Sequence, residues 1–208
     1  MKNEKEDIKR NGNSENGLDK YYWDERYSSH QTGWDLGAPS PALVDFFENE
    51  NNKELRILIP GCGNAYEAKY LIQSGFSDIT LLDFAPTLVG ILQQNFASFD
   101  EIQVIEADFF RFQGQFDLII EQTFFCAQQK SQRTNYVAKM HELLVPGGQL
   151  IGLLFDREFE QGPPFGGSTE EYHKLFSEGN LEVLHMEKTT LSVEPRMGTE
   201  VFFKVRKK

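Results

Sequence analysis

Cysteine is nearly missing from this 208-residue chain: Cys62 and Cys126 are the only two. They have neither the C-x-x-C spacing of a zinc site nor the density of a disulfide scaffold, so a reducing, cytoplasmic setting is expected. Basic residues are outnumbered, with 21 Lys and Arg against 32 Asp and Glu, a net charge of −11, and no Lys/Arg-rich block. That balance opposes attraction to a phosphate backbone, and no nucleic-acid partner is expected. No apolar run approaches the roughly 20 residues that span a bilayer, and the N-terminus lacks the apolar core of an export signal, which argues against a membrane partner. The 4 histidines, His30, His141, His173 and His185, form no acid or nucleophile pairing. Only His30, in an aromatic N-terminal segment, is a candidate base. No cluster of metal-ligand type appears, there is no internal repeat, and no feature speaks to oligomeric state.

What is present is enough sequence for one well-buried domain and too little for two of ordinary size. Met1 to Leu18 is charged, rich in Asn and Glu, and nearly free of large apolar residues. Such a stretch cannot offset its ordering entropy by burial, so residues 1–18 are expected to be a disordered arm. From Asp19 the composition shifts to aromatics, in YYWDERYSSHQTGWDLGAPSPALVDFF. Residues 19–208 are expected to form a single domain, with 19–50 packing onto it as a lid.

From Leu55 onward short β-type runs alternate with helical stretches, the pattern of a parallel sheet with helices on both faces. The strands are expected at 55–59, 79–82, 102–105, 116–120 and 150–155. Asn64 with Glu67 predicts a capping box for the first helix after the glycine turn. Pro86 suits the opening turn of the next, with Leu88, Ile91, Leu92 and Phe96 as its apolar stripe. Ser131 is expected to open a third, with Val137, Met140 and Leu144 inward until Pro146, Gly147 and Gly148 stop it. Ser168 with Glu171 repeats the capping signal. The closing runs 181–190 and 200–205 have no helix between them and should pair antiparallel. The expected fold is therefore α/β, doubly wound, with a mostly parallel seven-stranded sheet, helices on both faces and a C-terminal antiparallel hairpin.

The chemistry concentrates in LRILIPGCGNAYEAKYLIQSGFSDITLLD, residues 55–83. A strand that stops at Gly61 and Gly63 lets the backbone pass close to a ligand, and Asp83, at the tip of the next strand, can accept from both hydroxyls of a ribose. A dinucleotide site would carry a third glycine where this chain has Tyr66, so a phosphate-poor nucleoside fits better. S-adenosylmethionine is such a ligand. The other strand ends supply Phe84 beside Asp83, Asp108 with Phe109, and Glu121 and Gln122 followed by Phe124, Phe125 and Cys126. A carboxylate beside a ring suits an adenine, which makes Asp108 the candidate there, against the plainer reading that it caps a turn. The lid aromatics Trp23, Tyr27 and Trp34 can hold a sulfonium by cation–π attraction, against the plainer reading of core packing. Cys126, in an apolar cluster, reads as inert filler. The proline-stiffened loop 156–167 is a candidate wall for an acceptor pocket.

In this order and at these separations, IPGCGNAYEAKYL, LLDFAP, IEADFF, FDLIIEQTFFCA, ELLVPGGQL and GPPF resemble the thiopurine methyltransferase family, a branch of the class I S-adenosylmethionine-dependent methyltransferases. Within it the chain is most similar to the thiol and halide methyltransferases. The resemblance implies cofactor contacts from Trp23, Tyr27 and Trp34 in the lid, from Gly61 and Gly63 on the methionine side, and from Asp83 at the ribose. It further implies Asp108 and Phe109 at the adenine and Gln122 after the fourth strand. Tyr27 departs from the tryptophan usual in the nearest branch, and Gln122 stands where thiopurine methyltransferases carry arginine, which argues against a thiopurine substrate. The expected activity is methyl transfer from S-adenosylmethionine to a small soft nucleophile, a thiol or a halide, with no catalytic side chain and no metal. The alternatives are a small-molecule O- or N-methyltransferase using His30, and a non-catalytic S-adenosylmethionine-binding protein.

Overall fold

The computed structural model describes residues 17–208, so most of the expected N-terminal arm lies outside the described residues. Seven strands form one sheet: β1 (Arg56–Pro60), β2 (Asp78–Asp83), β3 (Ile102–Glu106), β4 (Phe116–Gln122), β5 (Leu144–Phe155), β6 (Leu181–Lys188) and β7 (Glu200–Lys207). Their order is β3-β2-β1-β4-β5-β7-β6, parallel from β3 through β5, with β7 antiparallel to both β5 and β6. Strand order reverses between β1 and β4, which makes the carboxyl ends of those two strands the place where an open α/β sheet forms a crevice.

Alternate residues of the central strands feed two cores. Ile57 and Ile59 join Leu43 and Phe47 of α2 (Pro41–Glu48), Ala68 and Leu71 of α3 (Tyr66–Gln73), and Leu88 and Leu92 of α4 (Pro86–Asn95). Leu58 and Ile119 face the other way, onto Tyr136 and Met140 of α5 (Arg133–Leu143) and Tyr172 and Phe176 of α6 (Thr169–Glu178). Each fully buried Leu, Ile, Phe or Met among these stabilises the fold by roughly 1.5–3 kcal/mol relative to exposure. Among the described residues no helix is long and apolar enough to cross a membrane.

Four local expectations need correction. Asn64 caps nothing: the helix starts after Ala65 in the left-handed region, Asn64 donates to Asp35 instead, and Glu67 is buried beneath the Ser40 amide, which donates to it at 3.0 Å. Ile91 is 45% exposed, and Val89 takes its place in the apolar stripe. Residues 130–132 form a 3-10 turn, so the helix opens at Arg133 rather than Ser131. The segment of Pro146, Gly147 and Gly148 lies inside β5, where the register against β4 shifts between Phe116 and Leu118. By contrast Ser168 accepts from the Glu171 amide as a helix N-cap, and Pro86 occupies the first turn of α4.

Candidate active site

The chain leaves β1 at Pro60 and turns sharply, with the Gly61 amide donating to the Leu82 carbonyl at 2.7 Å. Gly61 has φ +57°, and a Cβ built on it would lie 2.2 Å from Phe124 Cδ2. The glycine is therefore required by a neighbouring ring, where the sequence alone pointed to a ligand. At Gly63, φ +51°, the nearest atom to such a Cβ is the Tyr27 hydroxyl, at 3.8 Å. That backbone faces open space.

Asp83 ends β2 almost wholly buried, and its Oδ1 accepts from the Ala85 amide at 3.0 Å. Burial pushes its carboxyl up to about 6, a rise opposed by the amides of Ala85, Phe84 and Gly63. Beyond β3, Asp108 is exposed and does cap its own turn, accepting from the Phe110 amide at 2.9 Å, with Arg111 3.8 Å from its other oxygen. It borders the cavity nonetheless. Phe109 is buried, edge-on to Phe124 with ring centroids 5.0 Å apart.

Glu121, near the end of β4, carries more structure than its place in an apolar run suggests. The side chain is fully buried; its Oε1 accepts from the amides of Phe124 and Phe125, each at 2.8 Å, while Oε2 accepts from the Tyr136 hydroxyl. Burial pushes this carboxyl up to about 7. One carboxylate thus fixes the turn that follows β4, with Thr123 in the left-handed region at φ 61°. Next to it, Gln122 borders the cavity with both amide atoms shut off from solvent and without a partner among the described residues. Such orphans are uncommon in native interiors unless a ligand answers them.

The lid opens with α1 (Lys20–Ser28), whose N-cap Asp19 accepts from the Tyr22 amide. Trp23 and Tyr27 pack edge-on against Trp34, at 5.4 and 5.7 Å between ring centroids. Burial, then the charge of Asp83, hold the Tyr27 hydroxyl well above its usual range. Asp35 fastens the segment that follows: it accepts from the Gly37 amide at 2.8 Å, from the Tyr66 hydroxyl at 3.2 Å, and from Asn64. The signal for Asp35 was an Asp-x-Gly turn that sequence reasoning passed over.

All ten expected contact residues, Trp23, Tyr27, Trp34, Gly61, Gly63, Asp83, Phe84, Asp108, Phe109 and Gln122, border one cavity of about 1520 Å³. That exceeds the roughly 300–1,000 Å³ of ordinary ligand pockets and leaves room for two small molecules side by side. On the β4–β5 side its wall includes Phe124, Phe155, Phe159, Pro163 and Pro164, so the loop 156–167 does face the cavity. Arg133, unforeseen in the sequence, anchors that loop from beneath. Its buried guanidinium donates to the carbonyls of Phe165 and Gly166, at 3.0 and 2.8 Å, and to Glu171 at 2.7 Å, and it lies 4.7 Å over the Phe125 ring. His30 stands exposed, and among the described residues no histidine borders the cavity. Cys126 does, but burial pushes its thiol up to about 12, which keeps it protonated and unreactive.

Comparison with known proteins agrees with this geometry. Residues 18–208 match the family model described as Thiopurine S-methyltransferase (TPMT). The chain is 33% identical over 184 residues to a probable thiol methyltransferase 2 of Arabidopsis thaliana, covering 86% of this chain and 81% of that one. It is 28% identical to a thiopurine S-methyltransferase of Vibrio parahaemolyticus, covering 81% and 87%. Among solved structures, the 1,6-didemethyltoxoflavin-N1-methyltransferase of Burkholderia thailandensis superposes with a TM-score of 0.72 at 16% identity, covering 91% of this chain and 87% of that one, a likeness of fold. The chain belongs to the thiopurine S-methyltransferase family, and it is an S-adenosylmethionine-dependent methyltransferase.

Proposed function

We propose that this family member methylates a small soft nucleophile, a thiol or hydrosulfide first and a halide second, in a cytoplasmic setting. The observation that carries the reading is that, among the described residues, the cavity wall on the β4–β5 side presents no histidine and no carboxylate. That wall includes Phe124, Phe155, Phe159, Pro163 and Pro164, and the Cys126 thiol beside them is held protonated by burial. A hydroxyl or amine acceptor often needs a group to take its proton, whereas a thiolate or halide ion arrives ready to attack. The alternative of a base-assisted O- or N-transfer loses its residue, since His30 is exposed and outside the cavity.

The residues present fit the cofactor. S-adenosylmethionine supplies, when bound, a sulfonium-activated methyl group. In this reading Asp83 receives the ribose hydroxyls, Phe84, Asp108 and Phe109 hold the adenine, Gly63 gives the amino-acid end an unobstructed floor, and the orphan amide of Gln122 gains its partner. Trp23, Tyr27 and Trp34 offer ring faces to the sulfonium, a cation–π gain of about 0.5–2 kcal/mol. Residues 19–50 close over this as the lid of a single domain, 19–208. Glu121 and Arg133 hold the walls still. In-line displacement asks for alignment and exclusion of water more than for proton transfer, and these residues supply both.

The test is formation of S-adenosylhomocysteine with hydrosulfide, a small organic thiol, iodide, a catechol and an amine as parallel acceptors. Turnover with the thiols or iodide is expected. Turnover confined to the catechol or amine would refute the base-free reading, and cofactor binding without turnover on any acceptor would favour a binding protein.

A further inference from the structure

Among the described residues five cationic side chains border the cavity, and four have an evident engagement. Lys20 pairs with Glu106 at 2.6 Å, Arg111 with Asp108 at 3.8 Å, and Arg196 with Glu200 at 3.4 Å while donating to the Trp34 carbonyl at 2.8 Å. Arg157 is exposed to water, its guanidinium 4.7 Å over the Phe159 ring. Arg26 differs. Its Nε is shut off from solvent and has no acceptor among the described residues, and its guanidinium lies 4.5 Å over the Tyr22 ring. A cation in the last turn of a helix gains from the helix dipole, but any exposed base would gain as much. The dipole leaves a buried guanidinium N–H without an acceptor, which native interiors avoid.

The path of α1 fixes which part of the cavity Arg26 adjoins. Lys20 ties its first turn to Glu106 at the end of β3. Asp24 then accepts from the Thr87 amide at 2.7 Å, in the first turn of α4 after β2. Tyr27 brings the last turn beside Gly63, just beyond β1. The helix therefore crosses the strand ends in the order β3, β2, β1; Arg26 stands in its last turn, next to Tyr27, with its guanidinium reaching back over the Tyr22 ring.

We propose that Arg26 recognises the carboxylate at the amino-acid end of S-adenosylmethionine. This rests on the cofactor reading above, in which adenine, ribose and amino acid lie over β3, β2 and β1 in turn. A planar guanidinium, already oriented over the Tyr22 ring, offers two parallel N–H groups to a carboxylate. Recognition is then split along the ligand: Asp83 answers the ribose and Arg26 the opposite terminus.

The experiment compares two ligands by calorimetry: S-adenosylhomocysteine, which carries the carboxylate, and 5′-methylthioadenosine, which lacks the whole amino-acid end. Arg26→Met keeps the apolar stem and removes the charge; Arg26→Lys restores charge without the fork. We expect Arg26→Met to weaken S-adenosylhomocysteine at least tenfold and 5′-methylthioadenosine less than twofold, with Arg26→Lys between Arg26→Met and the unchanged chain. Equal loss for both ligands, or loss for neither, overturns the inference. So does a rise in the acceptor KM with cofactor affinity unchanged, which would turn Arg26 toward the acceptor. If the unchanged chain binds neither ligand, the cofactor reading itself falls and this inference with it.

Discussion

Gly61→Ala tests whether that glycine serves the ring beside it or a ligand. Two costs follow from the geometry. At φ +57° an alanine is held in the left-handed region, at about 1–2 kcal/mol. Its methyl would also stand 2.2 Å from Phe124 Cδ2 and 3.0 Å from Phe124 Cβ, so turning the ring does not clear it. The backbone at Phe124 would have to shift, against the amide bonds that Glu121 makes at 2.8 Å. Overpacking of this kind costs roughly 1–3 kcal/mol more. Gly63→Ala provides the control, because φ is similar and the nearest atom is 3.8 Å away, leaving only the conformational cost. Urea unfolding without ligand should therefore rank Gly61→Ala below Gly63→Ala by about 1–3 kcal/mol. Combining Gly61→Ala with Phe124→Ala removes the ring but keeps its Cβ, and should recover the part of that difference that the ring atoms cause. If the two glycine variants lose equal stability and Phe124→Ala recovers nothing, the clash is not what excludes a side chain at Gly61.

Three further outcomes follow from the same structure. Asp83→Ala should weaken S-adenosylhomocysteine by roughly 1–3 kcal/mol in calorimetry, the usual loss when a charged acceptor is removed from buried hydroxyls; unchanged affinity would move the ribose elsewhere. Glu121, raised by burial from 4.5 unfolded to about 7 folded, binds its proton more tightly in the folded state. Its contribution is therefore most favourable below pH 4.5 and is lost as pH rises to 7, an effect of about 3 kcal/mol. Urea midpoints of the unchanged chain should thus fall relative to those of Glu121→Gln between pH 5 and 8, and parallel profiles would contradict the assignment. Removing residues 1–18 should leave turnover within about twofold, whereas removing 1–36 should abolish it, since that cut takes Trp23, Tyr27 and Trp34; equal activity in both would end the case for a lid.

Much of this fold was legible because its signals are local and repeated. Short apolar runs bounded by polar or turn-forming residues marked the strands, and the absence of a helical stretch between the last two runs announced the antiparallel hairpin. That seven of the ten expected contact residues would meet at one cavity was legible for a related reason: a doubly wound sheet brings its strand ends to one edge, so naming strand ends names the crevice they border. What escaped were relationships between distant residues. Nothing near Gly61 shows that Phe124, sixty-three positions later in the sequence, occupies the space its side chain would need. Arg133 gives no sign that it will hold the carbonyls of Phe165 and Gly166, because a buried arginine and a surface one read alike until the chain is folded. Asn64 misled for the opposite reason. Its local capping signal was sound, but Asp35 and Ser40 recruited Asn64 and Glu67 into tertiary contacts instead.

The attachment of α1 has a consequence for how the protein meets a protease. No residue of that helix is fully buried, and Lys20 and Glu106, which tie its first turn to the sheet, remain 43% and 42% exposed at their side chains. An ion pair so exposed contributes only about 0–1 kcal/mol, which leaves the Asp24–Thr87 hydrogen bond and the Trp23 and Tyr27 rings to hold the helix, so it should open before the sheet beneath it unfolds. Trypsin would find Lys20 and Arg26 during those openings long before it reached Arg56 or Arg133. A ligand gripped from both sides would lengthen the intervals between openings, so the rate of nicking at Arg26 becomes a clock for occupancy, readable without following methyl transfer at all.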